Sequence, residues 1–169
     1  MNTFPNLKNP YHLIATLGGI GKIPIAPGTF GSIASWLIFI YISHFIDSTL
    51  MFILTVLFFI LSIWVCEKIS KDLAVKDDKS IVIDEFVGIW IAMLPVFFIA
   101  NSQYERTIYA LAALIFFRLF DILKPFPVSY FDERYKNGFG IVMDDVIAGL
   151  IAIIPVSYTH LRAHETFTD

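Results

Sequence analysis

STLMFILTVLFFILSIWVC, residues 48–66, runs for nineteen residues without an Asp, Glu, Lys or Arg. About 20 mainly apolar residues in a helix cross the ~30 Å hydrocarbon core of a bilayer, so this stretch reads as a membrane span. Its apolar character is continuous, not alternating, which argues for helix and against a barrel strand. Uncharged runs recur at 23–46, 86–104, 107–117 and 146–161. Of these, 33–46 and 86–100 come close to full spans. Residues 107–120 span only with Arg118 near an interface or facing a polar site, and 146–156 is short. His44–Ser48 and 101–106 read as tight connections, and Pro95 predicts a kink within the third span. The expected fold is all-α, a polytopic bundle of four to five spanning helices.

Composition agrees. Of 169 residues, 57% are hydrophobic and 16% charged, against ~45–50% and ~25% in soluble globular domains. Mean hydropathy is +0.72. A soluble domain of this size has too little interior to bury that much apolar surface. A disordered chain and a disulfide scaffold are likewise excluded, the latter because Cys66 is the single cysteine. The net charge of −3 and the lack of a basic block give no sign of nucleic acid. No signal-peptide pattern opens the chain.

Lysine and arginine orient the bundle. Threading five segments puts Lys8, Lys22, Lys68, Lys71, Lys76, Lys79, Arg118, Lys124, Arg134 and Lys136 on one side, and Arg106 and Arg162 on the other. Ten against two is a strong positive-inside bias, which makes the first side cytoplasmic. Four polar clusters fall on that side.

The first is residues 18–32, GGIGKIPIAPGTFGS, which holds five of the nine glycines. Glycine permits close backbone approach, and amides ahead of a helix suit an anion; Thr29 and Ser32 add hydroxyls. The order of a Walker A loop is missing, and a plain membrane-entry turn with Thr29 as helix N-cap accounts for the same residues. The second is Ile81-Val82-Ile83-Asp84-Glu85-Phe86-Val87-Gly88. Carboxylates are costly within a bilayer but favourable at a helix N-terminus, so an interfacial cap is the alternative account. Gly88, one turn after Asp84, leaves room for something to approach that face. In the third, Arg118, Asp121 and Lys124 fall at i, i+3 and i+6 on one helix side, ahead of Pro125 and Pro127. Two cations around a carboxylate can hold a phosphate beside a metal-binding acid, or form a snorkelling salt bridge. The fourth, residues 138–149, repeats the second: Ile141-Val142-Met143-Asp144-Asp145 echoes Ile81–Glu85, with Gly149 one turn on.

Asp84, Glu85, Asp121, Asp144 and Asp145 thus supply five hard oxygen donors of the kind Mg²⁺ takes. His12, His44, His160 and His164 form no zinc pattern, and Cys66 at the end of an apolar span reads as packing.

Ala26-Pro27-Gly28-Thr29-Phe30-Gly31-Ser32, Val82-Ile83-Asp84-Glu85-x-x-Gly88, Phe117-Arg118-x-Phe120-Asp121-x-x-Lys124-Pro125-x-Pro127 and Gly140-Ile141-x-x-Asp144-Asp145-x-x-Ala148-Gly149 together resemble the phosphatidylglycerophosphatase A family of bacteria, in order and spacing, from about residue 12 to 155. The resemblance implies a Mg²⁺-dependent phosphatase of the inner membrane. Its site would face the cytoplasm, and it would convert phosphatidylglycerophosphate to phosphatidylglycerol in phospholipid biosynthesis. It implies Asp84, Asp144 and Asp145, with Glu85 or Asp121, as metal ligands, and the Asp residues and Lys124 as the catalytic group. Lys124 and Arg118 would neutralise charge on the phosphoryl oxygens, and the backbone from Gly28 to Ser32, with Thr29, would cradle the phosphate. Attack by an activated water and by an Asp, forming an aspartyl phosphate, both fit.

Residues 157–169, VSYTHLRAHETFTD from Val156 onward, break off the last apolar run where the family pattern leads one to expect it to continue. The tail resembles translated adaptor sequence or a truncated reading frame, so residues 1–156 are expected to form one membrane domain. Among other readings, the histidine-dependent lipid phosphatases need Arg-Pro and Ser-Gly-His motifs and the CDP-alcohol phosphotransferases an Asp-Gly…Ala-Arg series, all absent. A small transporter or cation-binding membrane protein with inward acids explains the carboxylates but not Arg118 with Lys124.

Overall fold

A computed structural model describes residues 4–70, 73, 78–135 and 137–166, the last eight of them by backbone alone. Lys71, Lys76, Lys136 and residues 167–169 lie outside the described residues, as does the side chain of Arg162. Among the described residues all regular structure is helical: α1 (Pro10–Ala15), a 3-10 turn (Ile20–Lys22), α2 (Pro27–Ile42), α3 (Ser48–Ile69), α4 (Ile83–Met93), α5 (Val96–Ile99), α6 (Gln103–Leu123), α7 (Val128–Arg134) and α8 (Gly138–Thr166).

The helix starts follow local chemistry. Asp47 caps α3, its Oδ1 accepting from the Leu50 amide at 2.8 Å. Ser102-Gln103-Tyr104-Glu105 is a capping-box sequence: Ser102 Oγ accepts from the Glu105 amide at 3.2 Å, and Glu105 Oε2 from the Asn101 amide at 2.8 Å. That cap starts α6 at Gln103, so the connection is shorter than the expected 101–106 turn. At Pro95 the helical ladder is interrupted between α4 and α5, while Leu94 and Pro95 keep right-handed helical dihedrals, in keeping with the expected kink.

α4 is the hub, packed against α2, α3, α6 and α8. Beyond Asp84 and Glu85 in its first turn its sequence is apolar on every side, as an enclosed helix requires, and Phe86 through Trp90, Ala92 and Met93 are all buried. Trp90 meets Phe39 edge-on at 5.7 Å and stacks on Phe86 at 4.7 Å, while its Nε1 donates to the Ser35 carbonyl at 3.2 Å. That bond satisfies the indole polar atom inside the core.

The α4–α8 crossing depends on two glycines. A Cβ on Gly88 would stand 2.7 Å from the Asp145 carbonyl oxygen and 2.5 Å from a Phe117 ring carbon; one on Gly149 would strike the Gly88 carbonyl. Small residues let helix backbones close to this separation. The room that Gly88 leaves is therefore filled by α8.

The outer surface is apolar. Leu37, Phe52, Leu57, Ile60, Ile115 and Ile154 are each more than half exposed, a girdle that water would not favour. Ser48–Ile69 and Gly138–Tyr158 are long and apolar enough to cross a membrane. The last run, read as eleven residues from 146, is lengthened at its N-terminal end. The helix begins at Gly138, so its 21-residue apolar part is about 31 Å long and carries Asp144 and Asp145 where its second turn passes into its third. α2 and α4 have 16 and 11 residues, and α6 has 21 but includes Glu105, Arg106, Arg118 and Asp121.

Candidate active site

The N-terminal ends of α2, α4 and α8 and the C-terminal end of α6 converge on one cavity of about 320 Å³. Asp84, Glu85, Arg118, Asp121, Lys124, Asp144, Asp145 and Gly28 all line it, joined by Ala26, Pro27, Asp78, Lys79, Ile81 and Ile141. Four sequence clusters, the outermost separated by more than a hundred residues, thus meet at one end of the bundle.

The glycine-rich stretch differs from the expected loop. Residues 27–32 are already the first turns of α2, started by Pro27 at a position where its missing N–H costs nothing. The N-cap is Ala26, in the left-handed region at φ 49° and without a side-chain cap. Thr29 is therefore not the cap. The first intrahelical bond runs from the Phe30 amide to the Ala26 carbonyl at 3.3 Å, so the Gly28 and Thr29 amides precede it and point out of the helix end. The backbone part of the expected cradle shrinks to these two. Thr29 Oγ1 accepts from Arg118 Nη2 at 3.4 Å, which makes it a partner of the arginine. Ser32 is fully buried, outside the cavity lining, with its Oγ unpartnered among the described residues. Its expected contact with substrate is not supported by that position.

Arg118 sits at the centre of the carboxylates. Its Nη1 donates to Asp121 Oδ2 at 2.5 Å, the expected i, i+3 pair, and lies 3.5 Å from Glu85 Oε1. Gly28 makes this possible, because a Cβ there would collide with Glu85 Oε1.

Lys124 is placed differently from the helical i+6 position. It is the C-cap of α6, in the left-handed region at φ 41°, so it leaves the helix face and turns toward α7 and α8. Its Nζ donates to Asp144 Oδ2 at 2.9 Å and pairs with Asp132 Oδ1 at 2.8 Å. Burial lowers the pKa of this ammonium, but Asp144 and Asp132 outweigh it and hold the pKa above the usual lysine range. Lys124 therefore stays charged at neutral pH. Ala26 and Lys124, two non-glycine residues with positive φ, both line the cavity; such conformations cost of order 1–3 kcal/mol and persist where surrounding structure fixes them.

The lining carries six acids (Asp78, Asp84, Glu85, Asp121, Asp144, Asp145) against three cations (Lys79, Arg118, Lys124). Glu85 Oε2 and Asp144 Oδ1 are buried acceptors with no hydrogen-bond partner among the described residues. Surplus negative charge and orphaned hard oxygens fit a hard divalent cation. Among the described residues no three His, Cys, Asp or Glu side chains form a ready-made cation cage. Mg²⁺ does not need one, since it keeps several waters and takes one or two carboxylates plus substrate phosphate.

Three residues near the site carried no functional signal in the sequence. Asp78 and Lys79 precede the second cluster in a turn where the Asp78 side chain accepts from the Ser80 amide at 2.9 Å. Asp132 lies beyond the Pro125–Pro127 turn, where helical spacing cannot relate it to Lys124.

A family model described as phosphatidylglycerophosphatase A matches residues 13–160. The chain is 43% identical to phosphatidylglycerophosphatase A of Haemophilus influenzae over 89% of each chain. It is 35% identical to phosphatidylglycerophosphatase A of Escherichia coli over 86% of this chain and 81% of that one. A Bacteroides thetaiotaomicron protein named "Putative phosphatidylinositol-3-phosphatase" is 36% identical over 89% of this chain and 96% of its own. No solved structure matches the chain significantly.

Proposed function

The chain belongs to the phosphatidylglycerophosphatase A family, and on that premise we propose that it removes the terminal phosphate of phosphatidylglycerophosphate to leave phosphatidylglycerol, in glycerophospholipid biosynthesis. The observation that carries this reading is the cavity itself, where five carboxylates, an arginine and a lysine from three helix ends face one another beside the start of a fourth.

Mg²⁺ is the proposed cofactor, held by Asp84, Asp144 and Asp145 with Glu85 or Asp121. When bound it would screen the anionic phosphomonoester and activate the attacking group. The chain's own residues do the rest. Lys124 and Arg118 neutralise charge that grows on the phosphoryl oxygens, and the Gly28 and Thr29 amides at the start of α2 meet the phosphate along the helix dipole. Thr29, Asp121 and Glu85 fix the guanidinium plane. Water attack and attack by an Asp differ in whether a phosphorylated protein can be trapped in a single turnover.

The proposed setting is a multi-pass helical bundle in the bacterial inner membrane with the cavity on the cytoplasmic side. Supporting it, α2, α4 and α8 start at the cavity and α6 ends there. α3 ends beside α8, where Glu67 Oε2 accepts from the Gly138 amide at 3.0 Å. This is the alternation that five antiparallel segments produce, and it supports a site on the lysine-rich side. An ion path would string its acids along the bundle, whereas these five share one end.

The test is inorganic phosphate release from phosphatidylglycerophosphate by detergent-purified protein, with Mg²⁺ and then with excess EDTA. Release is expected with Mg²⁺ and should drop to background with EDTA. Release unaffected by EDTA would remove the metal from the reading, and none from folded protein would remove the phosphatase. Phosphatidylinositol 3-phosphate, run in parallel, tests the head group named for the third relative and is expected to be the poorer substrate.

A further inference from the structure

We infer that Asp132 is a positioning residue for Lys124, holding its ammonium at the cavity wall while the phosphate takes the side that faces Asp144; this rests on the phosphatase reading. Lys124 Nζ lies between two carboxylates, Asp132 Oδ1 at 2.8 Å and Asp144 Oδ2 at 2.9 Å. The two are not equivalent. Asp144 lines the cavity, and Asp132 does not.

The backbone explains why a tether is needed. Lys124 follows the last residue of α6 in a left-handed conformation, so no helical turn supports its four-carbon stem. Its side chain is 34% exposed, open enough to swing away from the cavity. Asp132 is itself well anchored. The Pro125 carbonyl accepts from the Val128 amide at 2.7 Å to start α7, Val128 is fully buried, and α7 packs along α8. A short rigid turn thus brings a carboxylate back to the lysine eight residues before it.

An ammonium has three donors. One bond to Asp132 leaves the others for Asp144 or for phosphoryl oxygens in its place. Lys124 can therefore exchange a cavity acid for substrate without losing its position. Without Asp132, the lysine's remaining partner in the described structure is Asp144, the acid that the reaction needs for itself.

The experiment measures kcat and KM for phosphate release by wild type, Asp132→Asn, Asp132→Ser and Asp132→Glu, each also in a Lys124→Ala background, with thermal unfolding as the folding control. Asp132→Asn and Asp132→Ser should lower kcat about tenfold, the lower end of effects seen for residues that orient a functional group, with KM within about twofold of wild type. Asp132→Glu should recover most of the loss. In the Lys124→Ala background the Asp132 changes should have no further effect, because two residues acting as one unit are not additive. Wild-type kcat in Asp132→Asn, or the same tenfold loss in the Lys124→Ala background, would overturn the inference while leaving the phosphatase reading in place. Failure of both neutral variants to fold would assign Asp132 to the fold instead. A folded wild type that releases no phosphate would remove both readings together.

Discussion

Asp144→Ala and Asp145→Ala should each lose phosphate release by roughly a thousandfold or more, while the protein still folds and inserts. A bound metal contributes several kcal/mol to a phosphoryl-transfer barrier, and each ~1.4 kcal/mol is tenfold in rate. Asp144 carries two duties: Oδ2 binds Lys124, and Oδ1 is a buried acceptor without a partner among the described residues. Asp145 is 4% exposed, facing the same cavity. The Asn variants isolate charge from shape and should lose nearly as much as the Ala variants. Stability should move the other way. Six acids against three cations around one cavity repel one another, so removing one charge relieves a desolvated, undercompensated group. The metal-free Asp145→Asn protein is expected to unfold at the same temperature as wild type or higher. Wild-type phosphate release in both Asn variants would overturn the site assignment; a large fall in unfolding temperature would show these acids to be structural.

This opposition between activity and stability also explains which parts of the molecule were legible in its sequence. The acid pairs stood out because a carboxylate amid Ile and Val has no packing rationale, and all five acids do reach the cavity. Residues 48–66 were equally plain, since the run is unbroken and α3 leaves most of its apolar side chains at least partly on the outer surface. Reading failed where a residue's role depends on backbone direction beyond one element. Lys124 was placed by helical period, but α6 ends one residue before it and the left-handed cap sends it elsewhere. Asp132 had no period to share with it across a proline turn. Thr29 and Ser32 were read as loop hydroxyls because Gly28 and Gly31 suggest a loop. In fact Gly28 makes space for Glu85, and Gly31 lies against Val82, both inside a helix that Pro27 begins. The last apolar run looked too short to span because the turns up to Asp144 and Asp145 were counted as lead-in, whereas they belong to α8. Asp144 and Asp145 are tolerated there since they face the cavity and not the girdle.

Gly88→Val should unfold the α4–α8 crossing, and Gly88→Ala should weaken it measurably. Alanine usually stabilises a helix relative to glycine by up to about 1 kcal/mol, so a gain would follow if Gly88 were an ordinary helical position. The neighbours decide otherwise. A Cβ would stand 2.7 Å from the Asp145 carbonyl oxygen, with the Phe117 ring at 2.5 Å behind it. A backbone carbonyl in a helix cannot turn aside as a side chain can, so the helices must separate. Overpacking of this kind costs typically 1–3 kcal/mol. The carbonyl that would be pushed belongs to Asp145, so stability and phosphate release should fall together. Gly28→Ala supplies the contrast, since its Cβ meets the flexible end of Glu85 and then Arg118. That variant should lose activity with little change in unfolding temperature. An unchanged or raised unfolding temperature in Gly88→Ala would mean that the two helices have slack at their crossing, and that the cavity does not depend on their close approach.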